Sequence, residues 1–407
     1  MHKACPNLPK LNGVEDTKNM KSPLSAASNL PLLLLCFCLC DQVPAGLSAA
    51  DLASAVRPFV DRHELAGAVM LVASRDKVLD VETVGYADLE HNKPMPPDAL
   101  FWIASQSKPM TATALMMLVD EGTVNVAEPV EKYLPEFKGL MLAVEHDGQH
   151  VLLRKPAHPI TVREILSHTS GLPFKSPMEE PTLDQLRLRD TVRSYTVVPL
   201  EFEPGTRYQY SNAGLNTAGR IIEVVSGIPY EQFMEQRLFK PLSMKDTTFR
   251  PSRSQLKRLA KSYKPGPGNS GLEETTVTQL QYPLNDRARQ PMPAGGLFST
   301  AQDVGRFCRM ILNGGQLDGK RYLSQTAVEQ MTQKQTGDAV KEGYGFGWSA
   351  NGKTFGHGGA YATNMGIDAE RGLITVWMVQ HAGFPGNGGQ ALDAFRQAAR
   401  ESFGKTE

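Results

Sequence analysis

The strand-forming segments of this 407-residue chain lie toward its two ends, and a long helical stretch separates them. Near the start, AGAVMLVAS (66–74) and KVLDVETVGYAD (77–88) are apolar and β-branched runs turned at Arg75-Asp76-Lys77, a hairpin pattern. An amphipathic helix, AADLASAVRPFVDRH (49–63), precedes them. Near the other end come four short β-like runs, YGFGWSA (344–350), KTFGHGG (353–359), ATNMGIDAE (362–370) and LITVWMVQHAG (373–383). A last helix is predicted from Gly389 to Phe403. Strands at both ends around a helical middle predict one α/β layer built from both termini, with a helical insertion between them.

The length is too great for one small core and suits one large domain or two intermingled ones. Lys plus Arg equals Asp plus Glu, 43 of each, and no block of like charge exists to recruit nucleic acid. The first 49 residues read differently. SNLPLLLLCFCLC (28–40) is apolar, follows lysines and precedes PAGLSAA, which is the layout of a secretory signal. The run is about half the roughly 20 residues that a membrane-crossing helix needs. Export to the periplasm or the exterior is expected, with membrane contact only through an uncleaved or lipidated leader; a start at Met20 would give the signal a flank of ordinary length. Four of the five cysteines (Cys5, Cys36, Cys38, Cys40) lie in this leader. A processed chain keeps Cys308 alone, beside Phe307 and Met310 in a helical pattern, where it reads as a core residue.

The middle holds Pro-rich and Gly-rich loops, LSHTSGLPF and LEFEPGTRYQYSN, and a hairpin-like insertion, LMLAVEHDGQHVLLRKP, turned at Asp147-Gly148. FSTAQDVGRFCRMILNGG is a helix capped by Ser299 or Thr300 and stopped at Asn313-Gly314-Gly315. Ser-x-x-Lys occurs four times, at Ser74/Lys77, Ser105/Lys108, Ser254/Lys257 and Ser402/Lys405. Ser74 falls in a turn, Ser254 on a polar helix and Ser402 at the end of the chain. Only Ser105 opens a buried-looking helix, TATALMMLVDEG, whose N-terminal end favours an alkoxide or oxyanion. Three residues apart on a helix, Ser105 and Lys108 share a face. A serine hydroxyl becomes a nucleophile only when a base takes its proton, and lysine serves when burial or charge lowers its pKa.

Tyr210, in Tyr210-Ser211-Asn212, is the candidate relay: a phenolate stabilised by the lysine would accept the serine proton and return it to a leaving group. Asn212 reads equally as a helix N-cap and as the holder of the lysine or of a substrate amide. His357-Gly358-Gly359 lies on a strand-like stretch where glycines let a backbone approach a ligand closely.

In this order, Ser105-Gln106-Ser107-Lys108, Tyr210-Ser211-Asn212 and His357-Gly358-Gly359 resemble the three motifs of the class C β-lactamase-like serine hydrolases, a group of β-lactamases, D-alanyl-D-alanine carboxypeptidases and esterases. LSHTSGLP, FEPGTRYQYSN, LFKPLSMKDTTF, PAGGLFST, YGFGW and GHGGAYAT resemble the family as well, so the likeness spans roughly 55–400. It implies an α+β fold of the β-lactamase/transpeptidase type: an antiparallel sheet built from both termini, flanked by helices, with a mostly helical insertion domain. The expected organisation is a leader over 1–49 and a hydrolase domain over 50–400, with 50–104 and 290–400 as the α/β part and 105–289 as the helical part. The resemblance implies an acyl-enzyme on Ser105, with Lys108 and Tyr210 sharing the proton work and Asn212 placing them. The N–H groups of Ser105 and Ala360 would form the oxyanion hole, and no metal or organic cofactor is implied. Where β-lactamases and carboxypeptidases carry Lys-Thr-Gly, this chain has His357-Gly358-Gly359, a weaker and pH-dependent charge with no hydroxyl. That favours small esters over β-lactams or peptides ending in carboxylate as substrate. Trp102 and Tyr361 read as pocket-lining or as packing residues, and His168 lies in a loop bordering the site.

Two other readings compete. His-Gly-Gly also occurs in lipases of the α/β-hydrolase fold, but there it precedes a Gly-x-Ser-x-Gly elbow, which this chain lacks. A protein that keeps the fold only to bind cell-wall peptides is the alternative of another class, and the three intact motifs speak against it. No His-Glu-x-x-His, Cys-x-x-Cys or phosphate-binding glycine loop supports a metal or nucleotide enzyme.

Overall fold

The computed structural model describes residues 51–338 and 340–404. The expected leader, with Cys5, Cys36, Cys38 and Cys40, lies outside the described residues. Among those described, no helix is long and apolar enough to cross a membrane.

The central sheet joins the two ends of the chain. Its strands are β1 (Gly67–Ala73), β2 (Val78–Asp88), β3 (Lys93–Pro94), β4 (Ser349–Asn351), β5 (Thr354–Gly358), β6 (Asn364–Asp368) and β7 (Leu373–Met378), in the spatial order β4-β5-β6-β7-β1-β2-β3. Every pairing is antiparallel. The seam between the ends is β1 against β7, with Val69 opposite Met378 and Leu71 opposite Val376.

All seven residues of β1 are buried because both faces of the sheet are covered. Strand side chains alternate in direction. Ala68, Met70 and Val72 therefore join a core with Leu52 and Val56 of α1 (Leu52–Asp61) and Phe395 of α6 (Ala391–Phe403). Val69, Leu71 and Ala73 enter the main core with Val304 and Phe307 of α5 (Ala301–Leu312). Gly305 lets α5 lie close to β1: a Cβ there would stand 3.0 Å from a Leu71 methyl.

The remaining helices include α2 (Ser107–Asp120), α3 (Val162–Ser167) and α4 (Asn212–Ser226). From Ser107 to Leu118 every residue of α2 is buried, so it has no solvent face and needs no amphipathic pattern. The expected hairpin is present as Leu142–His146 paired with Val151–Arg154, with Gly148 at φ 87° in its turn. The middle also contains a hairpin the sequence reading missed, Ser262–Pro265 with Leu272–Thr275. Thr300 caps α5 by accepting from the Asp303 N–H at 3.3 Å, as expected, and Cys308 is fully buried in it. A short pairing of Phe101–Trp102 with Phe298–Ser299 ties the approach to α2 to the approach to α5.

Candidate active site

Ser105 sits in a 3-10 turn, Ala104–Gln106, immediately ahead of α2. The α-helix itself therefore begins two residues later than the sequence reading placed it. Ala104 takes a left-handed φ of 45°, and the turn is braced by Ser107, whose Oγ donates to the Ala104 carbonyl at 2.6 Å and accepts the Leu297 N–H at 3.2 Å. Ser105 is half-buried, so its hydroxyl can meet a ligand.

Lys108, one turn further on, is fully buried. Its Nζ lies 3.1 Å from Ser105 Oγ, 2.8 Å from Asn212 Oδ1 and 2.8 Å from the Ala294 carbonyl oxygen. All three partners are neutral, and burial alone holds its pKa well below the ordinary lysine value. A neutral amine has two N–H bonds and one lone pair. The two pure acceptors, Asn212 Oδ1 and the Ala294 oxygen, take the two N–H bonds, which leaves the lone pair facing the Ser105 hydroxyl proton. This is the arrangement of a general base on a serine nucleophile.

Tyr210 completes the group. Its ring lies 4.6 Å from Lys108 Nζ, with the phenol near the Ser105 side chain. Burial pushes the phenol above its usual range, and the nearby Ser105 side chain offsets this only in part. The expected phenolate is therefore disfavoured in the resting site, because burial penalises the charge on phenolate and ammonium alike. Burial thus favours the neutral amine and the neutral phenol over the charged pair.

Asn212 is the first residue of α4, and the cap is Ser211, whose Oγ accepts the Gly214 N–H at 3.2 Å. With the capping role filled by its neighbour, the Asn212 side chain is free to hold Lys108. His168, at the end of α3, lies against Tyr210 with ring centroids 4.6 Å apart.

His357 differs most from expectation. It is buried, and burial pushes its pKa down to about 3, so it carries no charge at neutral pH. Its Nδ1 lies 2.7 Å from the Gly358 carbonyl oxygen, which can only accept, so Nδ1 carries the proton. Nε2 then accepts from the Tyr344 hydroxyl at 2.9 Å. Both nitrogens are engaged within the protein, and the pH-dependent cation expected here is absent. Gly359 brings the end of β5 against the nucleophile turn: a Cβ there would stand 2.5 Å from the Ile103 carbonyl oxygen. Gly358 and Ala360 are exposed beside it.

Trp102 and Tyr361 are packing residues. They meet edge to face, 5.2 Å between centroids, inside a third buried cluster, with Trp102 Nε1 donating to the Gly295 carbonyl at 2.7 Å. Ser74 donates within its turn to the Lys77 carbonyl, and Ser254 bonds the exposed Ser252, so neither has a buried lysine beside it. Three contributors escaped the sequence reading: the Ala294 carbonyl, Ser107 and Tyr344. PAGGLFST and YGFGW had marked the stretches containing Ala294 and Tyr344, but without a role. A cavity of about 740 Å³ opens elsewhere, between β4–β7 and Arg396 and Arg400 of α6. It shares His357 and Gly358 with the site but not Ser105, Lys108 or Tyr210. Geometry around a desolvated base weighs more here than cavity size.

A family model for Beta-lactamase matches residues 52–400, and the chain belongs to that family. Protein Rv1367c of Mycobacterium tuberculosis is 31% identical over 370 residues, covering 81% of this chain and 89% of the relative. Esterase EstB of Burkholderia gladioli is 27% identical over 403 residues, covering 88% of this chain and 97% of EstB. The solved structure of EstCE1, described as a hydrolase with promiscuous acyltransferase activity, superposes with a TM-score of 0.72 at 24% identity, over 86% of this chain and 97% of the other. The fold is that of the β-lactamases and penicillin-binding proteins, and the chain is a serine hydrolase of that family.

Proposed function

We propose that this protein hydrolyses small carboxylic esters through an acyl-enzyme on Ser105. The observation that carries the reading is the desolvated Lys108 amine, with both N–H bonds spent on Asn212 and Ala294 and its lone pair at Ser105 Oγ. Ser105 Oγ attacks the ester carbonyl as its proton passes to Lys108 Nζ. The oxyanion forms against the N–H groups of Ser105 and Ala360. Collapse breaks the bond to the leaving alkoxide, which takes a proton relayed through Tyr210. Water then enters, gives up a proton by the same route, and releases the acid and free Ser105. Every proton taken from Ser105 or water is returned, and no metal or organic cofactor takes part.

The preference for esters rests on the neutral His357, which offers no cation to a substrate carboxylate. The likeness to an esterase supports it. We also propose that the mature chain acts outside the cytoplasm on a small-molecule ester, amide or peptide, with no nucleic-acid partner. The leader pattern supports export, and N-terminal sequencing of the mature protein tests it.

The activity test uses the chain lacking residues 1–49 and its Ser105→Ala variant, with p-nitrophenyl acetate and butyrate and a chromogenic cephalosporin. Ester turnover that Ser105→Ala abolishes, with little cephalosporin cleavage, is expected. Rapid cephalosporin cleavage would replace the substrate reading by β-lactamase or carboxypeptidase. Failure of any reagent to acylate Ser105 would favour a non-catalytic, peptide-binding role.

A further inference from the structure

His168 carries three costs that a core-filling residue would not. Its φ of 60° is left-handed, a region side chains rarely occupy. Its imidazole is fully desolvated, and burial holds its pKa well below the ordinary histidine value. Its Nε2 is buried without a hydrogen-bond partner. The tautomer follows from the other nitrogen: Nδ1 accepts the Ser211 N–H at 3.1 Å, so Nε2 holds the proton. That unpaired N–H lies in a cage of tyrosine rings, Tyr210 and Tyr344 at 4.6 Å and Tyr208 at 5.8 Å between centroids. A leucine would fill much of the same space without a buried unpaired donor. Strain and unmet hydrogen bonds kept together beside a reacting group point to a role in its geometry.

What the imidazole supplies is an acceptor for the first amide after Tyr210, together with a flat wall against the phenol ring. Without the acceptor, the Ser211 N–H would be buried and unpaired. The neighbouring amides are held by backbone carbonyls, Gln209 N–H by the His168 carbonyl at 2.9 Å and Asn212 N–H by the Phe174 carbonyl at 3.0 Å, which leaves the Ser211 amide to the imidazole. We propose that His168 is a positioning residue for Tyr210, holding the phenol oxygen at Ser105 through the Ser211 amide and the ring contact. The proposal rests on the acyl-enzyme reading given above.

The test is a double-mutant cycle with ester hydrolysis as one readout and amide exchange as the other. His168→Asn keeps an acceptor near the Nδ1 position and tolerates the left-handed backbone; His168→Gln and His168→Leu lose that acceptor. Each is made alone and with Tyr210→Phe, and urea unfolding identifies variants that retain the fold. His168→Gln and His168→Leu should lower kcat by about 100-fold with KM nearly unchanged, the size expected when a reacting group is misplaced by about 1 Å. His168→Asn should stay within about 10-fold of the parent, and the Gln and Leu effects should shrink below about 3-fold in the Tyr210→Phe background. Hydrogen exchange of the Ser211 amide should be slow in the parent and Asn forms and fast in the Gln form. Equal losses in both backgrounds, or equal exchange in all folded forms, would overturn the proposal. A parent enzyme never acylated at Ser105 would sink the hydrolase reading instead, while the exchange comparison would still report whether His168 holds the Ser211 amide.

Discussion

Among the described residues one lysine, Lys108, and one arginine, Arg289, are almost completely buried, and their surroundings are opposite. Arg289 is 1% exposed and meets a carboxylate: its Nε lies 2.6 Å from Asp184 Oδ2, and its Nη1 donates to the Phe249 carbonyl at 3.0 Å. Lys108 is equally buried but meets only a hydroxyl, an amide oxygen and a carbonyl. A guanidinium does not give up its proton in proteins, so burying one calls for a counter-charge. A lysine can lose its proton, and without a counter-charge burial drives it to do so. The same operation, burying a cation, thus makes a structural tie in one place and a base in the other.

The two sites should respond oppositely to substitution. Lys108→Met keeps the shape and removes the amine; it should cut ester turnover by roughly a hundred- to ten-thousand-fold, the range for losing a general base. Thermal unfolding should show only a modest loss, about 1–3 kcal/mol, because Asn212 Oδ1 and the Ala294 oxygen lose a donor but no charge is stranded. Asp184→Ala should do the reverse. It strands the Arg289 charge and should cost about 3–5 kcal/mol of stability in urea unfolding, while kcat per folded molecule changes little. A stability loss in Lys108→Met matching that of Asp184→Ala would break the contrast.

The buried histidines sharpen it further. Burial depresses His168 strongly, His357 to about 3 and His381 to about 4, so all three are neutral in the folded protein at pH 7. Unfolded, they take up protons below about pH 6.5. Their contribution to stability is therefore complete above pH 6.5 and is lost as pH falls toward the folded values. Each should remove about 1.4 kcal/mol per pH unit in that window, measurable as a falling Tm between pH 6.5 and 4. His357 should give no limb between pH 5 and 8 in the pH–rate profile. The smallest expected effect is at the α4 cap: Ser211→Ala should cost about 1 kcal/mol in urea unfolding.

Much of this site was legible in the sequence because its parts are side chains with distinct chemistry. Ser105, Lys108 and Tyr210 come together as their spacing and context suggested. The sheet was legible because β1 and β7 are unbroken apolar runs, as strands covered on both faces must be. What could not be read has a common physical origin. Ser211 and Asn212 are both good caps, and only the backbone decides which of two adjacent residues takes the role. Every residue has a carbonyl, so nothing marked Ala294 as the second acceptor for Lys108. The charge state of His357 depends on burial and on Tyr344, neither of which its own motif reveals. The Ser262–Thr275 hairpin is polar and partly exposed, and lacks the alternation by which a strand pair is recognised.

The central claim is that Lys108 rests as a neutral amine facing Ser105. The most direct test is the rate of Ser105 acylation by p-nitrophenyl butyrate from pH 5 to 11, followed by rapid mixing and confirmed by intact mass. The account predicts a rate already at its plateau near neutral pH, falling only on the acid side. A rate that climbs through pH 9 to 11, toward the ordinary lysine pKa of about 10.4, would mean that Lys108 rests as an ammonium and would contradict it.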